Sequence, residues 1–217
     1  MTTVSTREKL LAATLRVVAE QGIAKVSART IATEAGVNQA LVFYHFGSVD
    51  DLLAQACEHG ARERVEANRA ALAEVRDFAA LIAVARRVHA TEQAAGNVAL
   101  LGQLLAGASS HPALGPATAA GLELWTREVE GVLARLLGAG PLADLVDVPG
   151  LARAVSAAFV GIELYDGVDP VGAERAFASL EQLGQLMGVL DELGPIERAA
   201  LRRRVRGAAR RAVPGHS

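Results

Sequence analysis

Nowhere in these 217 residues do apolar and polar side chains alternate as a half-buried strand requires. They recur every three or four positions, and each recurrence stops at a glycine or a proline. Residues 6–21 carry Leu10, Leu11, Thr14, Leu15, Val17 and Val18 and end at Gly22. Residues 27–35 open on Ser27, a good N-cap, and end at Gly36. Residues 38–46 open on Asn38 and close at Gly47. Ser48-Val-Asp-Asp51 has the form of a capping box with Asp for the usual Glu or Gln, and it starts a helix expected to reach about Ala73. Helices over 78–94, 98–108 and 117–137 follow, separated by Gly96, His111-Pro112, Gly115-Pro116 and Gly138-Ala-Gly-Pro141. Residues 149–165 and 170–193 each have a proline near the start, and 195–212 are helical by pattern and strongly basic. About ten helices and no strand make an all-α fold. Composition agrees, with 44 alanines against five Phe, two Tyr and one Trp.

Several function classes drop out. A single cysteine, Cys57, gives neither a disulfide framework nor a cysteine zinc cluster. The first residues lack the apolar core of a signal peptide. The longest uncharged stretch, 93–122, is interrupted by Asn97, Gln103, Ser109, Ser110, His111 and two prolines, so no membrane span is expected and a cytoplasmic protein is. No nucleophile elbow, phosphate loop or zinc-protease helix motif occurs. Gly138-Ala-Gly140-Pro-Leu-Ala143 loosely resembles a dinucleotide loop but follows a helix rather than a strand and contains Pro141. Cys57 and His59, two apart, would face different sides of a helix, and His45, His89, His111 and His216 show no ligand pairing. No enzyme, cofactor or metal is therefore expected. Net charge is −2, but residues 195–217 carry +6 and the rest −8.

Residues 27–46 have the layout of a helix-turn-helix. The turn is Glu34-Ala35-Gly36-Val37, where Gly36 permits the positive φ of a tight interhelical turn. Ile31, Ala32 and Ala35 give the first helix a small apolar face, against which Val37, Leu41 and Val42 can close. Gln39, Ala40, Tyr44 and His45 remain outside, on a helix of the size that enters a DNA major groove. Phe43 and Phe46 are expected in the core. Ile31-Ala-Thr-Glu-Ala-Gly-Val37, Phe43-Tyr-His-Phe-Gly-Ser48 and Leu52-Leu53 together resemble the TetR family of bacterial transcription regulators, over residues 6 to about 54. The resemblance implies a homodimer on a near-palindromic operator, released by a small molecule bound to a C-terminal domain. It implies that Ser27 touches a phosphate and Arg29 faces DNA. By the same resemblance, Asn38, Gln39, Ala40 and Leu41 begin the recognition helix, and Tyr44 and His45 lie along the backbone. The family usually has Lys after the Gly-Ser pair, where this chain has Val49; one lost phosphate contact lowers the salt slope by ~0.9. Leu41 stands where Thr is common and suits a thymine methyl.

The expected division is 1–47 for DNA binding, 48–194 for ligand binding and dimerisation, and 195–217 for a basic C-terminal segment. The ligand is expected to be small and largely apolar, lined by Phe78, His89, Gln103, Trp125, Phe159, Glu163 and Tyr165, the aromatic and polar residues embedded in aliphatic helices. Plain core packing accounts for Trp125 equally well. Leu151, Val155, Phe159 and Ile162 form one stripe. Phe177, Leu180, Leu183, Gly184, Met187 and Leu190 form another. Two such helices per subunit, 149–165 and 170–193, would build a four-helix dimer interface in which Gly184 and Gly188 allow close approach. Arg198, Arg202, Arg203, Arg204, Arg206, Arg210 and Arg211 surround a thin apolar stripe, which suits either pairing with the acidic remainder or extra phosphate contact. The helix starting at Ser48 joins the halves and is the expected lever for release. The alternatives are a ligand-independent or protein-controlled DNA-binding regulator and, last, an all-helical enzyme.

Overall fold

A computed structural model describes residues 4–108, 112–138 and 146–191, together with 194, 196, 197, 199, 200, 203 and 204. The helices are α1 (Thr6–Gln21), α2 (Ala28–Ala35), α3 (Ala40–Phe46), α4 (Val49–Ala73), α5 (Phe78–Ala94), α6 (Asn97–Gly107), α7 (Leu114–Gly138), α8 (Val148–Asp166) and α9 (Pro170–Asp191), with a short 3-10 turn at Ile23–Lys25. No strand occurs among the described residues. Positions 196, 197, 199, 200, 203 and 204 are helical, and the rest of the basic segment lies outside the described residues.

Two boundaries differ from expectation. Helix α7 starts at Leu114, so Gly115-Pro116 forms its first turn rather than a break. A proline there loses no hydrogen bond, because first-turn amides have no intrahelical acceptor. Helix α3 starts at Ala40, and Asn38 acts just ahead of it, its Oδ1 accepting the Ala40 N–H at 2.8 Å. The Ser48 cap forms as expected: its Oγ accepts the Asp51 N–H at 3.0 Å and donates to the Asp51 carboxylate at 2.6 Å.

The chain forms two compact units, Met1–Arg69 with Val88–Trp125, and Ala70–Arg87 with Thr126–Ser217. In the first, Leu10, Leu11 and Ala13 of α1 pack with Ala28, Ile31 and Ala32 of α2, Val42 and Phe46 of α3, and Leu52 and Ala56 of α4. A seven-residue helix such as α3 is unstable alone, so this apolar contact is what holds it. A second cluster joins Val18, Leu53 and Cys57 to Leu100, Leu104, Leu114 and Ala117 of α6 and α7. Gly107 makes that approach possible, since a Cβ there would sit 2.8 Å from the Leu114 side chain. Arg64 of α4 pairs with Glu92 of α5 at 3.5 Å, and Asn97 at the head of α6 donates to the same carboxyl, which burial pushes up.

In the second unit α8 lies against α9. The Arg135 Nη2 donates at 2.8 Å to the Leu72 carbonyl in the last turn of α4, which also accepts the Val75 N–H at 3.4 Å. Of α8's 19 residues, only Ala152 and Glu163 are buried; by length and composition alone it is apolar enough to cross a membrane. The expected interface stripe on α9 divides. Phe177 is buried, and Gly184 backs onto α5, where a Cβ would meet Ile82 at 3.0 Å and the backbone of Phe78 and Ala79 at 3.4 Å. Both therefore serve their own chain, while Leu183 is exposed and Leu180 and Met187 are half-buried.

Candidate functional site

The turn between α2 and α3 is built by local hydrogen bonds. Ser27 is extended, and its Oγ accepts the Thr30 N–H at 3.1 Å while Thr30 Oγ1 accepts the Ser27 N–H at 3.0 Å. The Thr30 hydroxyl also lies 2.7 Å from the Lys25 carbonyl and ties the 3-10 turn to α2. Gly36 takes φ 66°, ψ 36°, left-handed as the turn demands, and the Val37 N–H reaches back to the Ala32 carbonyl at 3.0 Å. Arg16 pairs with Glu34 at 2.7 Å and fastens α1 to the end of α2.

This turn sets the faces of α3. Val42 and Phe46, one helical turn apart, point into the core; Arg7 lies over the Phe46 ring, 5.3 Å from its centroid. Asn38, Gln39, Ala40 and Tyr44 are exposed, Tyr44 at 80%, with its ring edge-on to His45 at 5.0 Å. Ser27 and Arg29 are exposed beside them at the start of α2. Leu41 and His45 are half-buried, and Leu41 and Val49 both rest against the core cluster. Phe43 corrects an expectation: it is 49% exposed, against 6% for Phe46. Three residues of helix separate the two rings by about 300° in rotation, and only one side of α3 meets α1 and α4. Residues 4–56 carry five cations and five carboxylates, so binding to a polyanion depends on where groups stand, not on a net positive charge.

The residues expected around a ligand are divided between the units. His89 and Trp125, half-buried, and Gln103, exposed, belong to the first. The Gln103 Oε1 lies over Gly22, 3.7 Å from where a Cβ would stand. Phe78 and Phe159, half-buried, Glu163, 5% exposed, and Tyr165, half exposed over Gly172, belong to the second. Phe159 and Glu163 share one stripe of α8 with Ala152 and Ser156 at helical spacing. Sequence reading passed over Thr118, Thr126 and Ser156; the Oγ1 of Thr118 and the Oγ of Ser156 are buried without a hydrogen-bond partner. Their signal was present, as hydroxyls inside apolar helices. Cys57 is buried in the second cluster, and burial pushes its thiol up to about 11, which leaves it no nucleophile at neutral pH. Among the described residues no group of three His, Cys, Asp or Glu could hold a metal ion.

The profile of the bacterial regulatory proteins of the tetR family matches residues 10–56, which are also the limits of the core cluster from Leu10 to Ala56. A crystal structure of the multidrug binding protein EbrR in complex with proflavin is 30% identical, covers 82% of this chain and 99% of its own, and has a TM-score of 0.55. The chain belongs to the TetR family. A transcriptional regulator from Rhodococcus sp. Rha1 is 25% identical over 88% of this chain and all of its own, with a TM-score of 0.64. Reduced NemR of E. coli, 16% identical, shares the fold at a TM-score of 0.72 over 82% of this chain and 97% of its own. Comparison by sequence with curated proteins finds no match. These relatives make the chain a DNA-binding transcription regulator of the helix-turn-helix class, and they are regulators, not enzymes.

Proposed function

We propose that this TetR-family regulator is a homodimeric repressor that leaves a near-palindromic operator when a small, largely apolar ligand binds. The reading rests on α3: Asn38 and Gln39 just ahead of it and Ala40 and Tyr44 on it stand in solvent, while its back, Val42 and Phe46, is fixed in the core. Such a helix can enter a major groove without rearranging. In this reading Gln39 and Ala40 meet base edges and Leu41 meets a thymine methyl. Asn38 does so less freely, because its Oδ1 already caps α3. Ser27 and Arg29 hold phosphate, and Tyr44 and His45 lie along the backbone. The division into 1–47, 48–194 and 195–217, and a cytoplasmic location, follow from the same reading.

Dimerisation is supported by α8 and α9. Leu164, Tyr165, Val168 and Val171 at their junction, and Leu183, Leu186 and Val189 further along α9, are large apolar side chains left exposed. Ligand release is supported by EbrR, which has been crystallised with proflavin and with imidazole. The buried Glu163, with Phe159 beside it on α8, gives the second unit a polar anchor among apolar residues. Release then needs only that the ligand prefer the spacing of recognition helices that DNA does not accept, with α4 as the lever. The deciding experiment is selection of bound fragments from random DNA, with Tyr44→Ala as control. A near-palindromic site lost in the variant is the expected result. No enrichment at low salt by a folded protein would overturn the reading.

A further inference from the structure

Arg86, on α5, engages three side chains of α9 at once. Its guanidinium grips Glu174 with both terminal nitrogens, Nη1 to Oε2 at 2.6 Å and Nη2 to Oε1 at 2.9 Å, and its Nε donates to Glu181 at 2.5 Å. Between these two carboxylates its plane lies over the Phe177 ring, 5.0 Å from the centroid. One side chain thus reads three rungs of α9, at positions i, i+3 and i+7. A turn further along, Gly184 backs onto Phe78, Ala79 and Ile82 of the same helix. At 100° per residue, positions 174, 177, 181 and 184 occupy one side of α9. Leu183 and Leu186 occupy roughly the opposite side, where both are exposed.

We propose that Arg86 is a register lock: it fixes α9 in one rotation and one axial position on α5, and so decides which apolar face α9 presents to a second copy of this chain. The inference rests on the homodimer reading above. The contact at Gly184, glycine against Ile82 and the backbone of Phe78 and Ala79, has no polar group to fix a register. A slip of one residue turns α9 by about 100° and carries Leu183 and Leu186 away from the position that faces a partner. Only an arginine can do this work. The fork matches a carboxylate in two places while the flat guanidinium stacks on a ring, and a lysine ammonium offers a point charge without either geometry. Arg86 is a positioning residue here and touches no partner itself.

The test is sedimentation equilibrium of the full chain, with thermal melts as a check of folding. The variants are Arg86→Lys, the pair Glu174→Gln with Glu181→Gln, and Leu186→Asp. Leu186→Asp should give monomer. Arg86→Lys, which keeps the charge, should raise the dimer dissociation constant about tenfold. The glutamine pair, which leaves packing intact, should do the same, and combining it with Arg86→Lys should add nothing further, because the groups act as one unit. A lower melting temperature with an unchanged dimer constant would make Arg86 a structural clamp only and overturn the lock, while a monomeric Leu186→Asp would leave the dimer reading standing. A Leu186→Asp chain that remained dimeric would overturn both.

Discussion

Tyr44 and Cys57 mark the two extremes of what a single side chain does in this molecule. Tyr44 stands in solvent with its ring against the edge of His45, free to meet DNA in the function proposed above. Cys57, on α4, is sealed against α1, α6 and α7. Its thiol, raised to about 11 from an ordinary value of 9.0, prefers to stay protonated in the fold. The folded state therefore binds this proton more tightly than the unfolded one. The resulting stability is complete below about pH 9 and is lost as pH rises through about 11. Urea titrations between pH 8 and 11 should show stability falling in the native chain and a flatter curve in Cys57→Ala. Alkylation at pH 8 should proceed no faster than the chain opens. Val49 belongs to the same scale. It rests on the core cluster, at a position where the family resemblance leads one to expect a phosphate-seeking lysine, and here it serves packing.

At the level of elements, the short helices were legible because their signals are local. Ser27, Gly36, Asn38, Gly47 and Ser48 each act within a few residues, through a cap hydrogen bond or a positive φ at the two glycines, and each sits where the sequence placed it. Gly115-Pro116 was misread because a proline that breaks a helix interior is harmless in a first turn. The two phenylalanines of α3 were not separable, since both are large and apolar and only the direction of α1 and α4 decides between them. Their energies should differ accordingly. Phe46→Ala, which empties a buried site, should cost about 3–5 kcal/mol of unfolding free energy. Phe43→Ala, at half exposure, should cost about 1 kcal/mol. Chemical denaturation of the two variants checks this, and equal losses would mean that α3 is rotated from the orientation described.

For the molecule as a whole, stability should be inseparable from assembly. If α8 and α9 are covered only in the dimer, the melting temperature should rise with protein concentration, by mass action. Scanning calorimetry over a hundredfold concentration range tests this, with the Leu186→Asp chain expected to melt independently of concentration. The order of the helices among the described residues, the helix-turn-helix and the family were determined by the sequence itself. Caps, turns and a 3.6-residue rhythm are nearest-neighbour properties, written out wherever they act. Which apolar face is covered was decided only by the tertiary structure. Gly184 looked like a site for a partner helix and is closed by α5 of its own chain. Arg86 meets carboxylates 88 and 95 residues away that no spacing rule connects to it. Helical periodicity specifies that a stripe must be buried and leaves open what buries it, because that depends on the packing of segments far apart in the chain.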